Sequence, residues 1–127
     1  MRKKLKHLEI NLAIYRCHDI IFWETTVDEI AVWGKKNKLT ISEKWIEDFK
    51  ETVKGASGAC LSFGYDNRDR VIWLKERPHK ATQYGVLYHE LYHAVDFIAD
   101  EANLDTTKNG TEARAYIFEY LAKKSWN

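Results

Sequence analysis

The chain has 127 residues, of which 45% are hydrophobic and 31% charged, and its formal net charge at pH 7 is +1. This size allows one compact domain and is too short for two ordinary ones, so we predict a single domain over residues 1–127. The charge forms no basic stripe typical of nucleic-acid binding, and no apolar run reaches the length of a membrane span or a signal-peptide core. We therefore expect a cytoplasmic protein that binds neither nucleic acid nor membranes.

The N-terminal half is predicted to contain two strands followed by two helices. Residues 8–15 alternate between apolar and polar side chains, and residues 20–23 form a second apolar run. Thr26 and Glu29 match a capping box that begins a short helix, which fades near residues 34–37. Ser42 can cap a second helix that ends at Gly55. The helical spacing of Trp45, Ile46, Phe49 and Val53 favours a face packed on the core over a ligand groove.

The C-terminal half is predicted to contain a hairpin and two helices. Residues 59–63 and 71–75 are β-prone and flank the polar, turn-forming residues 64–70. A helical pattern then extends from residue 81 to residue 101. A loop with Asn109 and Gly110 follows, and Thr111 caps a final helix that ends near Lys124. The elements as a set indicate an α+β fold.

Two cysteines, Cys17 and Cys60, are too few and too far apart for a disulfide framework or a cysteine-based zinc knuckle. In a reducing compartment they remain thiols. We predict that both are core residues.

The motif His89-Glu90-Leu91-Tyr92-His93 is the strongest chemical signal in the chain. Its two imidazoles are four residues apart, which places them one turn apart on one face of a helix and within reach of one metal ion. Glu90 points elsewhere around the helix, so it can take a proton from a metal-bound water instead of ligating the metal. The spacing predicts a zinc site with His89 and His93 as ligands and Glu90 as general base.

A catalytic zinc site usually has three protein ligands, so a third ligand is needed. Glu112 is the main candidate, because it opens the predicted last helix, where its side chain can point toward the preceding antiparallel helix. Its alternative role is a favourable interaction with the helix dipole. Asp96 competes, but its short side chain better suits a hydrogen bond from a histidine or from Tyr116.

The motif, followed by Thr111-Glu112-Ala113-Arg114-Ala115-Tyr116, resembles the gluzincin branch of the zincin-like metallopeptidases. Residues 84–121 are also similar to short proteins of phages and prophages that carry the same zinc motif. The resemblance implies a small antiparallel or mixed sheet, an active-site helix and a C-terminal glutamate helix. It also implies a zinc-dependent peptidase acting on a peptide or protein substrate.

The resemblance carries further expectations for single positions. Residues 71–75 occupy the place of the strand that borders the cleft at the sheet edge and pairs with an extended peptide. Tyr116 stands where gluzincins often have an aspartate that orients the first histidine, so Tyr116 is predicted to orient a ligand or to stabilise an oxyanion. His79, Tyr84 and Tyr92 are further candidates for transition-state stabilisation. The alternative is a zinc-stabilised binding module without catalysis, such as a phage assembly or host-interaction protein.

Overall fold

A computed structural model describes residues 5–12, 17–63, 69–102, 104 and 108–125, the last range without the side chains of residues 108 and 109. It has an α+β fold, as the sequence predicts. In chain order the elements are β1 (His7–Leu12), β2 (Cys17–Trp23), α1 (Val27–Lys36), α2 (Glu43–Val53), β3 (Gly58–Phe63), β4 (Asp69–Leu74), α3 (Ala81–Glu101) and α4 (Lys108–Ser125). None of the helices it contains is long and apolar enough to cross a membrane.

The four strands form one mixed sheet in the order β1-β2-β4-β3. β2 and β4 are parallel, whereas β1 pairs with β2 and β3 pairs with β4 in antiparallel fashion. The prediction that residues 71–75 form the edge strand is therefore wrong, because β4 has a partner on each side. The free edge next to β4 belongs to β3.

The sheet separates two hydrophobic cores, since strand side chains alternate between its faces. Helices α3 and α4 cover one face, with a core of Ile10, Leu12, Cys17, Ile21, Ile72, Leu74, Leu87, Leu91, Ala94, Val95, Ile98, Ile117 and Leu121. Helices α1 and α2 cover the other, with a core of Ile20, Phe22, Val27, Ile30, Ala31, Ile46, Phe49, Ala59, Phe63, Val71 and Trp73. Both cysteines are free thiols: Cys17 is buried, and Cys60 is partly buried against the first core.

Local signals set most helix ends where the sequence predicts them. The Thr26 hydroxyl accepts from the backbone N–H of Glu29, and the Glu29 carboxylate accepts in return from the backbone N–H of Thr26. The Ser42 hydroxyl accepts from the backbone N–H of Trp45 at the start of α2. Gly55, after the end of α2, has a φ of 68°, a left-handed conformation that favours glycine.

Two predicted turns differ from the structure. Helix α4 already begins at Lys108, so Asn109 and Gly110 lie in its first turn and Thr111 is not the cap. The first backbone N–H groups of a helix have no intrahelical partners, so turn-forming residues are tolerated there, and Gly110 is buried. Asp69 and Arg70, predicted to lie in the turn, belong to β4 and pair with β2 or β3. The turn residues 64–68 lie outside the described part of the chain.

Candidate metal centre

The two histidines of the motif lie together on the solvent-facing side of α3. Their Nε2 atoms are 3.2 Å apart, and their ring centroids are separated by 4.7 Å at an interplanar angle of 84°. Two nitrogen ligands about 2.0–2.1 Å from a tetrahedral zinc ion are about 3.3–3.4 Å apart, so His89 and His93 are already at the spacing of a shared metal ion. A hydrogen bond between a protonated and an unprotonated ring nitrogen gives a similar distance.

Glu90 lies beside this pair but on the inner side of the helix, where only 5% of the residue is exposed. Its Oε1 is 3.7 Å from His89 Nε2, and its buried Oε2 has no hydrogen-bond partner. Burial raises the pKa of the Glu90 carboxyl, and the nearby His89 and His93 lower it. The motif therefore joins two exposed imidazoles to one buried carboxyl group with an unused oxygen.

Within the described residues, His89, Glu90 and His93 are the one group of three whose potential ligand atoms all lie within 4.8 Å of one another. The structure thus brings together the three motif residues that the sequence predicts to act together. The spacing of the imidazoles and the orphaned carboxylate oxygen both fit a divalent cation with nitrogen and oxygen ligands.

The close packing of α3 on β3 places Glu90 against the sheet. A Cβ atom at Gly58 would lie 2.7 Å from Val86 Cγ1 and 3.2 Å from Glu90 Cγ, so the absence of a side chain allows this approach. Glycine in a strand interior often marks such a close contact. The position of the carboxyl group of Glu90 thus depends on a residue of the edge strand β3.

The other two predicted site residues lie on α4. Glu112 is exposed in the second turn of the helix, not at its opening, and Tyr116 is 67% exposed. Ile117 and Leu121 form the buried side of α4. Among the residues that the structure describes, neither Glu112 nor Asp96 joins the group around His89 and His93. Glu112 as third ligand and Tyr116 as catalytic residue stay predictions.

Asp96 has a partner that the sequence did not predict. Its Oδ1 accepts a hydrogen bond from Arg114 Nη1 at 3.0 Å, instead of one from a histidine or from Tyr116. Arg114 Nη2 also donates to the backbone carbonyl of Leu104 at 3.2 Å and lies 3.8 Å from Asp100. Arg114 therefore joins the C-terminal half of α3 to the start of α4.

The further candidates for transition-state stabilisation lie before α3 or at different points along it. His79 precedes the helix, with its Nδ1 2.8 Å from the carbonyl oxygen of Arg77. Tyr84 stacks on Tyr88. Tyr92 is 59% exposed and lines a cavity between α3 and α4. Of the three, Tyr92 is adjacent to a motif histidine.

A buried polar pair beneath α3 escaped the sequence analysis. Asp19 and Arg70 pair across β2 and β4 and are 0% and 1% exposed. Burial raises the pKa of Asp19 to about 7, against the lowering effect of Arg70, and neither Asp19 oxygen has a hydrogen-bond partner. The sequence signal is an acid directly before the apolar run of residues 20–23 in β2. Burial, with smaller contributions from Asp19 and Glu90, also raises the pKa of the Cys60 thiol to about 12, so it stays protonated at neutral pH.

Comparisons of the chain with models of protein families, with curated proteins and with solved structures found no match. The resemblance to gluzincins thus stays a prediction from the motif residues. The argument for function rests on the geometry of the site.

Proposed function

We propose that this protein is a zinc-dependent metallopeptidase in which His89 and His93 bind the metal and Glu90 acts as general base. The observation that carries the proposal is the pair of imidazole Nε2 atoms 3.2 Å apart with a buried carboxyl group directly beside them. Zinc at such a site supplies a Lewis acid that acidifies water and polarises a carbonyl group.

Glu90 has the position that a general base needs. Its helix places it next to a metal ligand, while its burial and its 3.7 Å distance from His89 keep it separate from the imidazole pair. The oxygen nearer to the imidazoles is Oε1, and we assign to it the acceptance of a proton from a water molecule at the metal centre. Glu90 then passes that proton to the leaving amine of the peptide.

The free edge of β3 is the surface that we assign to the peptide backbone. The Ser57 carbonyl accepts from the backbone N–H of Lys75, and antiparallel alternation therefore turns the backbone groups of Gly58 and Cys60 away from β4. An extended peptide can bind these groups by β-augmentation. Farther along β3, the Trp45 indole donates to the Ser62 carbonyl at 2.9 Å. This carbonyl group is therefore not free to bind a peptide.

For the third ligand we propose Glu112 over Asp96. Asp96 already pairs with Arg114 at 3.0 Å, and transfer of its carboxylate to a metal would leave that partly buried guanidinium without this partner. Glu112 is exposed, and no ion pair or hydrogen bond of its side chain occurs among the contacts of the described residues.

Metal binding tests the site directly. Purified wild-type protein should hold about one equivalent of zinc, and His89→Ala or His93→Ala should weaken binding by at least about 100-fold. His79→Ala, which removes an imidazole outside the group, is the matched control and should bind zinc like the wild type. Less than about one-tenth equivalent in the wild type, with His89→Ala no different, would reject the site.

Hydrolysis is tested by Glu90→Gln, which removes the base but keeps the size of the side chain. We expect peptide cleavage to fall by about 10²–10⁴-fold, while the zinc content and the melting temperature stay close to those of the wild type. Cleavage retained in the zinc-loaded variant would show that another group acts as the base.

A zinc-stabilised binding module is the second candidate, and one observation favours it. Five large aromatic side chains are exposed on α3 and α4 and can contact a partner: Tyr88, Tyr92, Phe97, Tyr116 and Tyr120. A phage assembly or host-interaction protein would use the metal for folding alone. In that case zinc removal would unfold the wild type and Glu90→Gln equally, and neither would cleave peptides.

A further inference from the structure

A cavity of about 770 Å³ lies between α3 and α4, and one of its lining residues, Tyr92, belongs to the motif segment of α3. Tyr92 and Phe118 provide aromatic walls, and Val95 adds an apolar surface. Tyr92 directly precedes His93 in the chain, and Asp96, which also lines the cavity, follows His93 by one helical turn. Along α3 the cavity therefore extends from the position beside His93 to Asp100, about two helical turns farther on.

The polar side chains of the cavity carry an excess of negative charge. Asp96 and Asp100 contribute two carboxylates and Arg114 one guanidinium, which leaves a net charge of −1 among these three. Arg114 is already engaged by Asp96 at 3.0 Å and by the Leu104 carbonyl at 3.2 Å. Asp100 lies farther from Arg114, at 3.8 Å, and its side chain is 77% exposed. Asp100 can therefore accept a second cation.

Aromatic walls with a carboxylate at the opening suit a long side chain with a cationic end. The methylene groups of lysine or arginine pack against apolar and aromatic surface while the charged group stays near water. The aromatic faces attract the cation in addition to the carboxylate. A purely aliphatic side chain would use the walls but not Asp100, and an acidic side chain would meet the excess negative charge.

We propose that this cavity binds a lysine or arginine side chain of a peptide ligand and selects peptides with a basic residue near the bond held at the metal centre. The selection of a substrate rests on the proposed peptidase function. The binding of the basic side chain does not, so the two can fail separately.

Binding to the zinc-loaded Glu90→Gln variant tests the proposal without cleavage. The probes are acetylated, amidated alanine hexapeptides in which one lysine moves through each position, with norleucine and glutamate at the same position for comparison. Calorimetry gives the dissociation constants, and NMR follows the ring signals of Tyr92 and Phe118. We expect lysine to bind about fivefold more tightly than norleucine in at least one position and to shift both rings.

Asp100→Asn, added to the same variant, should reduce the preference for the lysine peptide over the norleucine peptide, measured as the ratio of their dissociation constants, to about twofold or less. Glu47→Gln removes an exposed acid on α2, outside the lining of the cavity, and should keep the ratio. The proposal is overturned if norleucine binds as well as lysine at every position, if Asp100→Asn keeps the ratio, or if neither ring signal moves.

Cleavage by the wild type separates this proposal from the proposed function. If lysine peptides bind as described but no peptide is cleaved, the peptidase proposal fails and the cavity assignment stands. If peptides are cleaved with no preference for lysine or arginine over norleucine at any position, the cavity proposal fails and the peptidase proposal stands.

Discussion

The two faces of the sheet differ in whether the buried polar groups beside them have hydrogen-bond partners. On the α1 and α2 side the core is rich in aromatic rings, and its buried indole has a partner: Trp73 Nε1 donates to the Thr25 carbonyl at 2.8 Å. On the α3 and α4 side the buried core is aliphatic apart from Cys17. Two carboxyl groups next to it, Asp19 and Glu90, have buried oxygens without hydrogen-bond partners.

Among the described residues, buried carboxyl oxygens without partners therefore occur on the α3 and α4 side and not on the α1 and α2 side. A buried carboxyl group without a partner destabilises the fold, so its presence requires another explanation. The proposed metal centre explains the buried carboxyl group of Glu90, whereas Asp19 faces Arg70 on the neighbouring strand. Arg70 in turn lies 4.1 Å from the centre of the Phe97 ring of α3. Among the described residues, the buried charged side chains Asp19, Arg70 and Glu90 therefore all lie between the sheet and α3.

The largest effect should come from Phe49→Ala on the packing face. Phe49 is fully buried and packs edge to face on Trp45 at 5.1 Å, so its loss should cost about 3–5 kcal/mol in the free energy of unfolding. Zinc affinity, measured where the variant is folded, should be unchanged because the metal centre lies on the other face.

Phe49→Leu offers a smaller reduction in volume if the alanine variant is too unstable to purify. Val32→Ala, at a position on α1 that is 67% exposed, is the control and should change stability by at most about 0.5 kcal/mol. A fall in zinc affinity parallel to the loss of stability would contradict the separation of the two faces.

Asp19→Asn should reduce the pH dependence of stability. Burial raises the pKa of Asp19 from 3.8 to about 7, so the folded protein holds this proton more tightly than the unfolded chain. The resulting stabilisation is complete below the unfolded pKa and is lost as the pH rises through about 7, by an amount on the order of 2–4 kcal/mol. Urea unfolding across this pH range should show a smaller loss in Asp19→Asn than in the wild type, and the raised pKa of Glu90 accounts for the part that remains.

The control for this experiment is Asp48→Asn, which removes an exposed acid paired with Lys44 on α2. It should keep the pH profile of the wild type. An Asp19→Asn profile that falls between about pH 4 and pH 7 as steeply as that of the wild type would assign the effect to another group.

Gly58→Ala should lower the stability of the fold and change the position of Glu90, the proposed general base. Its Cβ would meet Val86 and Glu90, which we expect to cost about 1–3 kcal/mol and to displace the Glu90 carboxyl group. Cleavage should therefore fall, while zinc affinity stays the same because His89 and His93 point to solvent. Unfolding, peptide cleavage and zinc titration measure the three effects.

Gly85→Ala is the matched substitution in α3, where an added Cβ has no neighbour within 4 Å. It should raise stability by about 0.8–1 kcal/mol, since alanine favours a helix more than glycine does. Equal effects of Gly58→Ala and Gly85→Ala would show that α3 does not depend on a close approach at β3.

Local signals predicted the elements well. Helix α3 has the predicted limits because its apolar periodicity is long, and Thr26 and Ser42 cap helices through contacts within four residues. Two failures are local, namely the start of α4 and the start of β4, and the others involve contacts between distant parts of the chain. The strand order and the Asp19–Arg70 pair depend on the parallel pairing of β2 with β4, which has no local sequence signal.

The sequence by itself determined the α+β class and the spacing of His89, Glu90 and His93, because residues four apart on a helix share a face whatever surrounds them. The tertiary structure alone decided that Glu90 is buried against Gly58 while both imidazoles are exposed, and that β3 is the neighbouring edge. These features follow from the position of α3 on the sheet, which depends on packing between residues far apart in the chain.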